Sequence, residues 1–330
     1  MKKIQWLFLA CVILLSSCKK NEIHQYSGDV FGTYFSVSYI GEENPELPRQ
    51  IDSVLQNINH LYSIFDTASL VSKLNRNEPV VLPSDFTKMV EKALQVSKET
   101  NGAFDITVGP LVNLWGFGNE KADTVSPAAI DSVRQFVGYR KIQCEYGTIV
   151  KKDRRIKLDF NAIAKGKAVD DVAEFMVRSG YKNCIVDIGG EVRAEGTKPG
   201  GKTWRVGIQI PTDTKDGIVE TDYIFEMTDK SVATSGNYRN YKEINGERYN
   251  HIADPRTGVC RSSNLLSVTV IANDCATADA YATAFMVMGR DEAMKFLESH
   301  PELAGHFVYY ENGGYRYVQS KNFPKKGILQ

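Results

Sequence analysis

The sequence has no excess of either charge and few cysteines. Lys+Arg and Asp+Glu number 40 each, so no basic surplus indicates a nucleic-acid partner and no acidic tail is present. The six cysteines show no CxxC or zinc-type spacing. For Cys144, Cys184, Cys260 and Cys275, both a disulfide and buried free thiols stay open. Internal repeats and low-complexity linkers are also lacking, and the length suits one large domain or two small ones.

Long hydrophobic runs are lacking as well. The apolar run from Ile4 to Leu15 is shorter than the about 20 residues that a membrane-spanning helix needs. It follows two lysines and precedes "LSSC", which is the layout of an export signal and resembles a bacterial lipobox. We expect a signal peptide over residues 1–17, lipid on Cys18 and a tether over residues 18–27. A plain signal peptide cut nearby and a short anchor helix are the alternatives.

Helical patterns precede most of the strand patterns along the chain, which favours an α+β fold over a regular βαβ series. Apolar periodicity and capping residues predict helices over residues 51–65, 84–98, 127–137, 169–179 and 274–290. Strand-like runs cover residues 28–39, 155–158, 183–188, 203–210, 224–227, 266–271 and 307–310. The pair Asn245-Gly246 predicts a hairpin turn. No domain break is visible.

The helix predicted in "DCATADAYATAFMVMGR" carries two polar residues on an otherwise apolar segment. Asp279 and Thr283 lie one turn apart, so their oxygens leave the same side of the helix. Hard oxygen ligands of this kind suit magnesium. The alternative is structural, with Thr283 bonded back to a helix carbonyl and Asp279 acting as an N-terminal cap.

Other polar residues cluster in stretches punctuated by glycine. In "LDFNAIAKGKAVD", Lys165 lies near a helix start, where free N–H groups attract phosphate, although the spacing is not that of a Walker A loop. "NGAFDITVGPLVNLWGFG" has the composition of a rigid wall for a flat ring. Near "VATSGNYRN" and "HIADPRTG", Arg239 and Arg256 are candidate anion ligands, and His251 is a candidate acid or base.

Taken together, these stretches resemble the ApbE family of bacterial FAD:protein FMN transferases, also called flavin-trafficking lipoproteins. The resemblance runs in the family's order through "FGTYFSV", "SIFDTASLVSKLN", "GAFDITVGPLVNLWGFG", "LDFNAIAKGKAVD", "DIGGEVRAEG", "VATSGNYR", "HIADPRTG" and "ATADAYATAFMVMG". It implies one large domain over residues 28–330, with antiparallel or mixed, T-fold-like β-sheets flanked by helices. The family's lipoprotein signal also matches Cys18.

The resemblance also implies a set of site residues. The family's metal ligands fall on the backbone oxygens of Ala162 and Ala282 and on the side chains of Asp279 and Thr283. Its flavin contacts fall on Phe31, Phe65, Ala103, Phe104, Asp105, Asp159, Lys165 and Ala253. Three positions depart from the family pattern: Phe31 replaces a common Met, Phe65 replaces a common Tyr, and Glu191 stands where the family has Asp.

By this resemblance, the expected reaction joins the FMN half of FAD to a threonine hydroxyl of an exported or membrane-bound flavoprotein and releases AMP. Magnesium would neutralise the pyrophosphate, and His251 is the first candidate for the base. Two alternatives stay open: an FAD pyrophosphatase that uses water as nucleophile, and a lipid-anchored FAD carrier without chemistry. The expected location is the periplasmic side of a membrane.

Overall fold

A central antiparallel sheet organises the fold. This computed structural model describes residues 22–118, 125–145, 147–209, 221–237, 241–244, 247–260 and 264–327. The predicted signal peptide, Cys18, the turn at Asn245-Gly246 and Arg239 lie outside these ranges. Among the described segments, none forms a helix that combines the length and the apolar composition needed to cross a bilayer.

The strands are numbered in chain order. They are β1 (Ile23–Val30), β2 (Thr33–Ile40), β3 (Ile142–Glu145), β4 (Thr148–Lys151), β5 (Cys184–Ile188), β6 (Glu191–Glu195), β7 (Trp204–Gln209), β8 (Thr221–Met227), β9 (Lys230–Gly236), β10 (Tyr241–Ile244), β11 (Glu247–Asn250), β12 (Leu265–Ala272), β13 (Ala304–Glu311) and β14 (Gly314–Gln319). The large sheet has the order β1-β2-β5-β6-β9-β12-β13-β14, and β3-β4, β7-β8 and β10-β11 form separate two-stranded sheets.

The helices pack mainly against one face of the large sheet. They are α1 (Leu47–Tyr62), α2 (Leu70–Asn75), α3 (Ser84–Glu99), α4 (Gly109–Leu114), α5 (Pro127–Arg134), α6 (Ala164–Arg178), α7 (Cys275–Met288) and α8 (Arg290–Glu298). On strand β2 the side chains of Phe35, Val37 and Tyr39 alternate toward this helical layer and join the main core. The prediction of an α+β fold is confirmed.

Helix α7 is apolar on nearly all sides because it lies between other elements. It contacts β9 and β12 of the sheet and also α6, α3 and α8. Ala278, Ala280, Ala282, Ala284 and Phe285 are all completely buried. A helix that is hydrophobic all round is expected in such an interior position. Any charge on α7 must therefore have a specific partner.

The other face of the large sheet is partly covered by the β7-β8 sheet. Trp204 and Ile208 of β7 and Phe225 of β8 pack with Val192 and Val232 of the large sheet in a second apolar core. This face carries polar as well as apolar side chains, whereas the helical face is mainly apolar. The two faces of the large sheet therefore differ in the polarity of their side chains.

One predicted strand is wrong. Residues 155–158 were expected to form a strand, but they belong to no β-ladder. Instead, the amide side chain of Asn75 binds this segment at Leu158: its Nδ2 donates to the Leu158 carbonyl at 2.8 Å, and its Oδ1 accepts from the Leu158 N–H at 2.7 Å. A side chain thus takes the place of a neighbouring strand, which local sequence patterns do not reveal.

The single strand predicted over residues 28–39 is instead a hairpin of β1 and β2, and β1 includes residues 23–27 of the predicted tether. The other predicted elements agree with the structure, with shifted ends. The helix expected over residues 169–179 begins at Ala164. The N-cap of α3 is Pro83, and Ser84 is the first residue of that helix. The segments that pair as β10 and β11 flank the predicted hairpin turn. The four cysteines in question are free thiols, and all but the half-buried Cys144 are buried, which resolves that alternative.

Candidate functional site

A cavity of about 490 Å³ opens where α6 and α7 begin beside the turn between β5 and β6. Its wall combines the predicted flavin and metal positions from five separate stretches of the chain. The lining residues are Phe65, Ala103, Phe104, Asp105, Val108, Val112, Phe117, Asp159, Asn161, Ala162, Lys165, Gly189, Glu191, Thr234, Ser235, Gly236, His251, Ile252, Ala253, Pro255, Asp279 and Thr283. Its size is within the usual range for small-molecule sites.

The polar floor of this cavity consists of Lys165, Glu191, Asp279 and Thr283. It exists because α6 and α7 approach each other closely at Gly166, where an added Cβ would lie 2.3 Å from the Cys275 carbonyl oxygen. Only glycine allows such an approach. The first turn of α6, which holds Lys165, therefore lies against the helix that holds Asp279.

Each of these two helices is capped by a carboxylate from the other. Asp279 of α7 accepts a hydrogen bond from the Gly166 N–H in the first turn of α6 at 3.0 Å. Asp170 of α6 accepts from the N–H groups of Cys275 and Ala276 in the first turn of α7 at 2.8 and 2.9 Å. These bonds satisfy helix N–H groups that have no partner within their own helix. The reciprocal cap fixes the register of α6 against α7.

The structural alternative for Asp279 and Thr283 does not hold as stated. The N-cap of α7 is Asp274, which accepts from the Thr277 N–H, and not Asp279. Within the described part of the chain, the Thr283 hydroxyl makes no hydrogen bond to a helix carbonyl, and Asp279 Oδ1 accepts none. Asp279 thus uses one carboxylate oxygen for a cap and presents the other without a protein donor, beside a hydroxyl of the same cavity.

The floor concentrates charge in a buried place. Asp279 is 5% exposed and Glu191 is 2% exposed. Burial raises the pKa of Asp279, while the charge of Lys165 and the Gly166 N–H oppose the rise. Burial also raises the pKa of Glu191. Lys165 Nζ donates to Glu191 Oε2 at 2.8 Å, and the two nearby carboxylates raise the Lys165 pKa against desolvation. One ammonium therefore faces two carboxyl groups, which leaves the floor short of positive charge.

The floor fits a hard divalent cation by its donor types. A buried carboxylate without a second donor, a neutral hydroxyl and the half-buried Ala162 lie along one cavity wall. Magnesium accepts such oxygen ligands and commonly keeps waters or substrate phosphate oxygens as well. Within the ranges described, no group of three His, Cys, Asp or Glu side chains is placed to hold a metal. A cation here would depend on one protein carboxylate and on its substrate.

The segment from Ala103 to Phe117, which includes helix α4, is mainly apolar, in contrast to the polar floor. Ala103 and Phe104 are buried, and Val108, Val112 and Phe117 face the cavity. Asp105 is held by its own loop, because its Oδ1 accepts from the Thr107 N–H and hydroxyl at 2.8 and 2.7 Å. Burial raises the pKa of Asp105 in spite of these bonds. The loop forms a rigid and largely apolar wall, as its composition predicts.

Asp159 connects this loop to the start of α6. Its backbone N–H donates to the Ile106 carbonyl at 2.7 Å, and its Oδ1 accepts from the Asn161 N–H at 2.8 Å. Burial raises the pKa of Asp159 as well. Asp159 thus fixes the turn that leads through Ala162 to Lys165.

His251 follows β11 and lines the same cavity as Asp279. Its ring meets Phe117 edge-on, with the ring centroids 6.4 Å apart. The turn that carries it is held by Asn250, whose Oδ1 accepts from the Ile252 N–H at 2.8 Å. Burial is intermediate, so the imidazole is accessible from the cavity. The structure therefore brings the candidate base and the candidate metal ligands together.

A protein-family model and named relatives match this chain over most of its length. The model of the ApbE family matches residues 31–307, which is most of the chain. The chain belongs to the ApbE family. It is 36% identical to the FAD:protein FMN transferase of Vibrio cholerae serotype O1, over 97% of this chain and 98% of the relative. The Haemophilus influenzae protein of the same name is 34% identical, over 96% and 95%.

Solved structures of ApbE proteins have the same fold. The flavin transferase ApbE from Vibrio cholerae superposes with a TM-score of 0.81 at 33% identity, covering 92% of this chain and 99% of that one. The apo form of the Pseudomonas stutzeri flavinyl transferase ApbE gives a TM-score of 0.82 at 32% identity, covering 92% and 96%. These similarities extend over the whole described domain.

Most positions mapped from the ApbE family lie in the cavity, but two do not line it. Phe31 lies in an adjoining apolar depression that shares Phe65, Asn161 and Lys165 with the cavity. Ala282 is completely buried within α7. Arg256, a candidate anion ligand, is instead paired with Asp254, whose Oδ1 lies 3.0 Å from its Nε. Its side chain lies outside the cavity wall.

The aromatic rim consists of Phe65 and Phe117, which line the cavity, and of Phe31, which lies in the adjoining depression. Phe65 is 67% exposed and Phe31 is 36% exposed, although both are large and apolar. Phe31 occupies the β1-β2 turn with φ of +53°, a conformation that residues other than glycine rarely adopt. Exposure and backbone strain at one residue are typical of a functional position. The rim offers faces on which a flat ring can stack.

Sequence reasoning missed Asp170 and the role of Glu191 as the partner of Lys165. Asp170 follows Gly166 by four residues, so both lie on the face of α6 that meets α7. That spacing was a usable signal. The contribution of Thr234 from β9 was not predictable, because it depends on how distant strands align.

Proposed function

We propose that the protein is an FAD:protein FMN transferase, which moves the FMN half of FAD onto a threonine hydroxyl of an acceptor flavoprotein and releases AMP. The observation that carries the proposal is the combination of a charged, buried floor with an aromatic rim beside it. The names of the curated relatives support the same activity. The floor suits a pyrophosphate, and the rim suits an isoalloxazine ring.

The reaction is a phosphoryl substitution. The threonine oxygen forms a bond to the phosphorus of the FMN half, and the bond from that phosphorus to the bridging oxygen breaks. The bridging oxygen keeps the electron pair and leaves as part of AMP. Catalysis of this kind depends mainly on positioning and on electrostatic stabilisation. Lys165, at the start of α6, is suited to bind a phosphate oxygen as a point charge.

Asp279, Thr283 and the Ala162 carbonyl are the residues that would hold magnesium. When bound, the ion supplies positive charge against the pyrophosphate and the departing AMP. Such a cation would also compensate the buried Asp279 carboxylate, whose pKa burial raises. Lys165 would then exchange part of its pairing with Glu191 for the substrate, because both compete for one ammonium.

His251 is our candidate for the base that takes the threonine proton. A hydroxyl is a poor nucleophile until its proton can leave, and histidine is the side chain most often used for this transfer. The accessible imidazole lies in the same cavity as the floor. Its contact with Phe117 limits the orientations of the ring.

The proposed function is tested by mass spectrometry of a flavin-free candidate acceptor after incubation with the enzyme, FAD and magnesium. Transfer adds one FMN to a threonine, and one AMP appears for each FMN added. Rapid release of FMN and AMP without any acceptor would instead indicate a pyrophosphatase. Tight FAD binding without turnover with any acceptor would indicate a carrier.

The proposal also includes export and a lipid anchor on Cys18, which the N-terminal pattern supports. The acceptor would then be an exported or membrane-bound flavoprotein on the periplasmic side. Replacing Cys18 with alanine is expected to move the protein from the membrane fraction to the soluble fraction of cells. A membrane-bound variant would contradict the anchor but not the enzyme activity.

A further inference from the structure

Strand β6 presents charged side chains to helix α6, starting at the floor of the cavity. Alternate residues of the strand point to this side, and they are Glu191, Arg193 and Glu195. Glu191 belongs to the floor and pairs with Lys165 at the start of α6. Arg193 lies two residues further along the strand and outside the cavity wall. It is therefore not placed to contact a molecule bound in the cavity.

Arg193 is the cation that faces Asp170, the residue of α6 that caps α7. Its Nη1 donates to Asp170 Oδ1 at 2.8 Å, and its Nε donates to Glu195 Oε1 at 2.7 Å. The Arg193 side chain is 17% exposed and that of Asp170 is 8% exposed. Removing one partner of a buried ion pair leaves an uncompensated charge and is strongly unfavourable. The position of the Asp170 carboxylate is therefore set from the sheet by Arg193.

The same carboxylate oxygen joins the sheet to the first turn of α7. Asp170 Oδ1 accepts both from Arg193 and from the Cys275 N–H, while Oδ2 accepts from the Ala276 N–H. Cys275 is completely buried, and its Sγ lies 3.8 Å from the carbonyl oxygen of Val192, the residue before Arg193. The start of α7 is thus held against β6 through one side chain of α6.

Asp279 lies one turn beyond Cys275 on α7, and its carboxylate returns to α6 by accepting from the Gly166 N–H at 3.0 Å. The contacts form a closed circuit, in which β6 holds Asp170, Asp170 holds α7, and Asp279 of α7 holds the first turn of α6. Lys165 stands in that same turn. A displacement of Asp170 would therefore change the position of Asp279 relative to Lys165.

We propose that Arg193 is a positioning residue for FMN transfer, which fixes the Asp170 cap and thereby the place of the Asp279 carboxylate beside Lys165. This inference rests on the proposed function. Arg193 acts through Asp170 and α7, without touching FAD or the acceptor. Electrostatic stabilisation of a phosphoryl substitution depends on groups that are held in place before the reaction. Loss of Arg193 should therefore slow transfer more than it weakens FAD binding.

The test compares two neighbouring positions of β6. Arg193→Met removes the guanidinium and keeps an unbranched side chain, whereas Arg193→Lys keeps the positive charge opposite Asp170. Val192 points to the other face of the strand, where it packs in the second apolar core. Val192→Ala therefore destabilises the same strand by loss of buried methyl groups and leaves the Asp170 ion pair intact. Urea unfolding shows that each variant is folded under the assay conditions.

Arg193→Met is expected to lower kcat for FMN transfer by about tenfold, while the KM for FAD stays within about twofold. Arg193→Lys should recover kcat to within about threefold of wild type, because an ammonium can still pair with the carboxylate. Val192→Ala should keep the wild-type kcat. Rescue by lysine and the split between kcat and KM distinguish a positioning role from a general loss of stability.

Amide hydrogen exchange followed by NMR gives a second readout, which does not depend on turnover. In Arg193→Met, the amides of Gly166, Cys275 and Ala276 should exchange about tenfold faster relative to the other amides of α6 and α7. Val192→Ala should leave these ratios unchanged. Gly166 gives the decisive signal, because its N–H is bonded to Asp279 and not to Asp170.

Three outcomes are distinguishable. Wild-type kcat in Arg193→Met, with wild-type exchange at Gly166, would show that Arg193 does not position Asp279. An equal loss of kcat in Val192→Ala would assign the effect to general destabilisation. Failure of the wild-type enzyme to modify any acceptor would overturn the proposed function itself, and exchange at Gly166 would still decide whether Arg193 holds Asp279 in place. Arg193→Gln, which keeps a donor without the charge, replaces Arg193→Met if that variant does not fold, and the same two changes are expected.

Discussion

The polar floor of the cavity and the aromatic rim beside it are built in contrasting ways. Most of the floor lies on two helices that cap each other, Glu191 comes from strand β6, and both of its carboxyl groups are almost completely buried. The rim is carried by turns and loops, and Phe31 and Phe65 are exposed. The floor therefore has its geometry set by main-chain packing, whereas the rim has its geometry set by local turns.

Because of this contrast, substitutions in the floor and in the rim are expected to affect different properties of the enzyme. A change in the floor alters charge in a place with low dielectric constant, where electrostatic interactions are strong. A change in the rim removes contact area at a site that water already reaches. We therefore expect the floor to determine the rate of transfer and the rim to determine the affinity for FAD.

The largest effect is expected for Asp279→Asn. The amide oxygen can still accept from the Gly166 N–H, so the reciprocal cap is kept while the charge is lost. Transfer should fall by about a thousandfold, because a preorganised charge is removed from the phosphoryl site. The rate of FMN incorporation measures this. Asp274→Asn on the same helix is the control and should transfer at the wild-type rate, since asparagine is also a good N-cap. Near-normal transfer by Asp279→Asn would contradict the role of the floor.

The next effect concerns stability and pH. Burial raises the pKa of Asp170 to about 6 from 3.8, although the N–H groups of Cys275 and Ala276 and the Arg193 guanidinium, which donates to Asp170 Oδ1 at 2.8 Å, oppose the rise. The folded protein therefore holds this proton more tightly than the unfolded chain does. The bound proton contributes about 3 kcal/mol to the free energy of unfolding. This contribution is fully present below pH about 4 and is lost as the pH rises through about 6. Asp170→Asn cannot ionise, and its free energy of unfolding should fall less than that of wild type between pH 4 and pH 7.

Urea unfolding at several pH values measures this difference. The exposed Asp291 is the control, because Arg290 lowers the pKa of its carboxyl group and Asp291→Asn should show no such gain. Parallel pH profiles for wild type and Asp170→Asn would contradict the expected titration of the cap. The comparison of pH profiles thereby tests whether Asp170, the residue of α6 that caps α7, gains a proton in the folded protein.

His251→Asn tests whether His251, which lines the cavity near the floor and the rim, acts as the base. Loss of the base should slow transfer by about a hundredfold, while FAD binding is kept, because the substitution leaves the floor unchanged. Transfer rates over a range of pH measure this, and the variant should lose the limb of the profile that reports the base. His300→Asn, which alters a histidine stacked on Phe296 outside the cavity, should match wild type. A wild-type profile for His251→Asn would rule out the assignment.

The smallest effect is expected at the rim. Phe65→Ala should weaken FAD binding by about tenfold through loss of ring contact, with little change in kcat. Phe65→Tyr should bind FAD at least as well as wild type, because the ring is kept. Fluorescence titration with FAD measures both. Tyr310→Ala, another exposed aromatic that lies outside the cavity wall, is the control. A large fall in kcat for Phe65→Ala would remove the distinction between rim and floor.

The sequence allowed much of the site to be predicted, because its chemistry is local. Asp279 and Thr283 are one helical turn apart, and Lys165 stands near a helix start, so short-range geometry indicated that these polar groups could act together. Their proposed roles came from the resemblance to the ApbE family. The ApbE motifs then indicated which distant stretches meet. The contacts between distant stretches were harder to predict. The pairing of Lys165 with Glu191 and the cap on α7 from Asp170 both depend on how separate elements approach each other.

The incorrectly predicted strand is a second example of a contact between distant stretches that local sequence patterns do not reveal. Residues 155–158 have the composition of a strand, but the partner of Leu158 is the amide of Asn75 and not a strand. The exposed Phe31 is a further case, since its left-handed backbone is imposed by the tight turn between β1 and β2. Propensity describes a residue's own preference and does not name the group that completes its hydrogen bonds.

The mutual capping of α6 and α7 has a consequence for how the gene can change. Adding or deleting a single residue between Ala162 and Gly166, or between Asp274 and Asp279, would rotate one helix by about 100° and disengage both carboxylates together. Insertions should therefore accumulate in surface connections such as the one after Ile40, while these two short spans keep a fixed length across descendants of the chain.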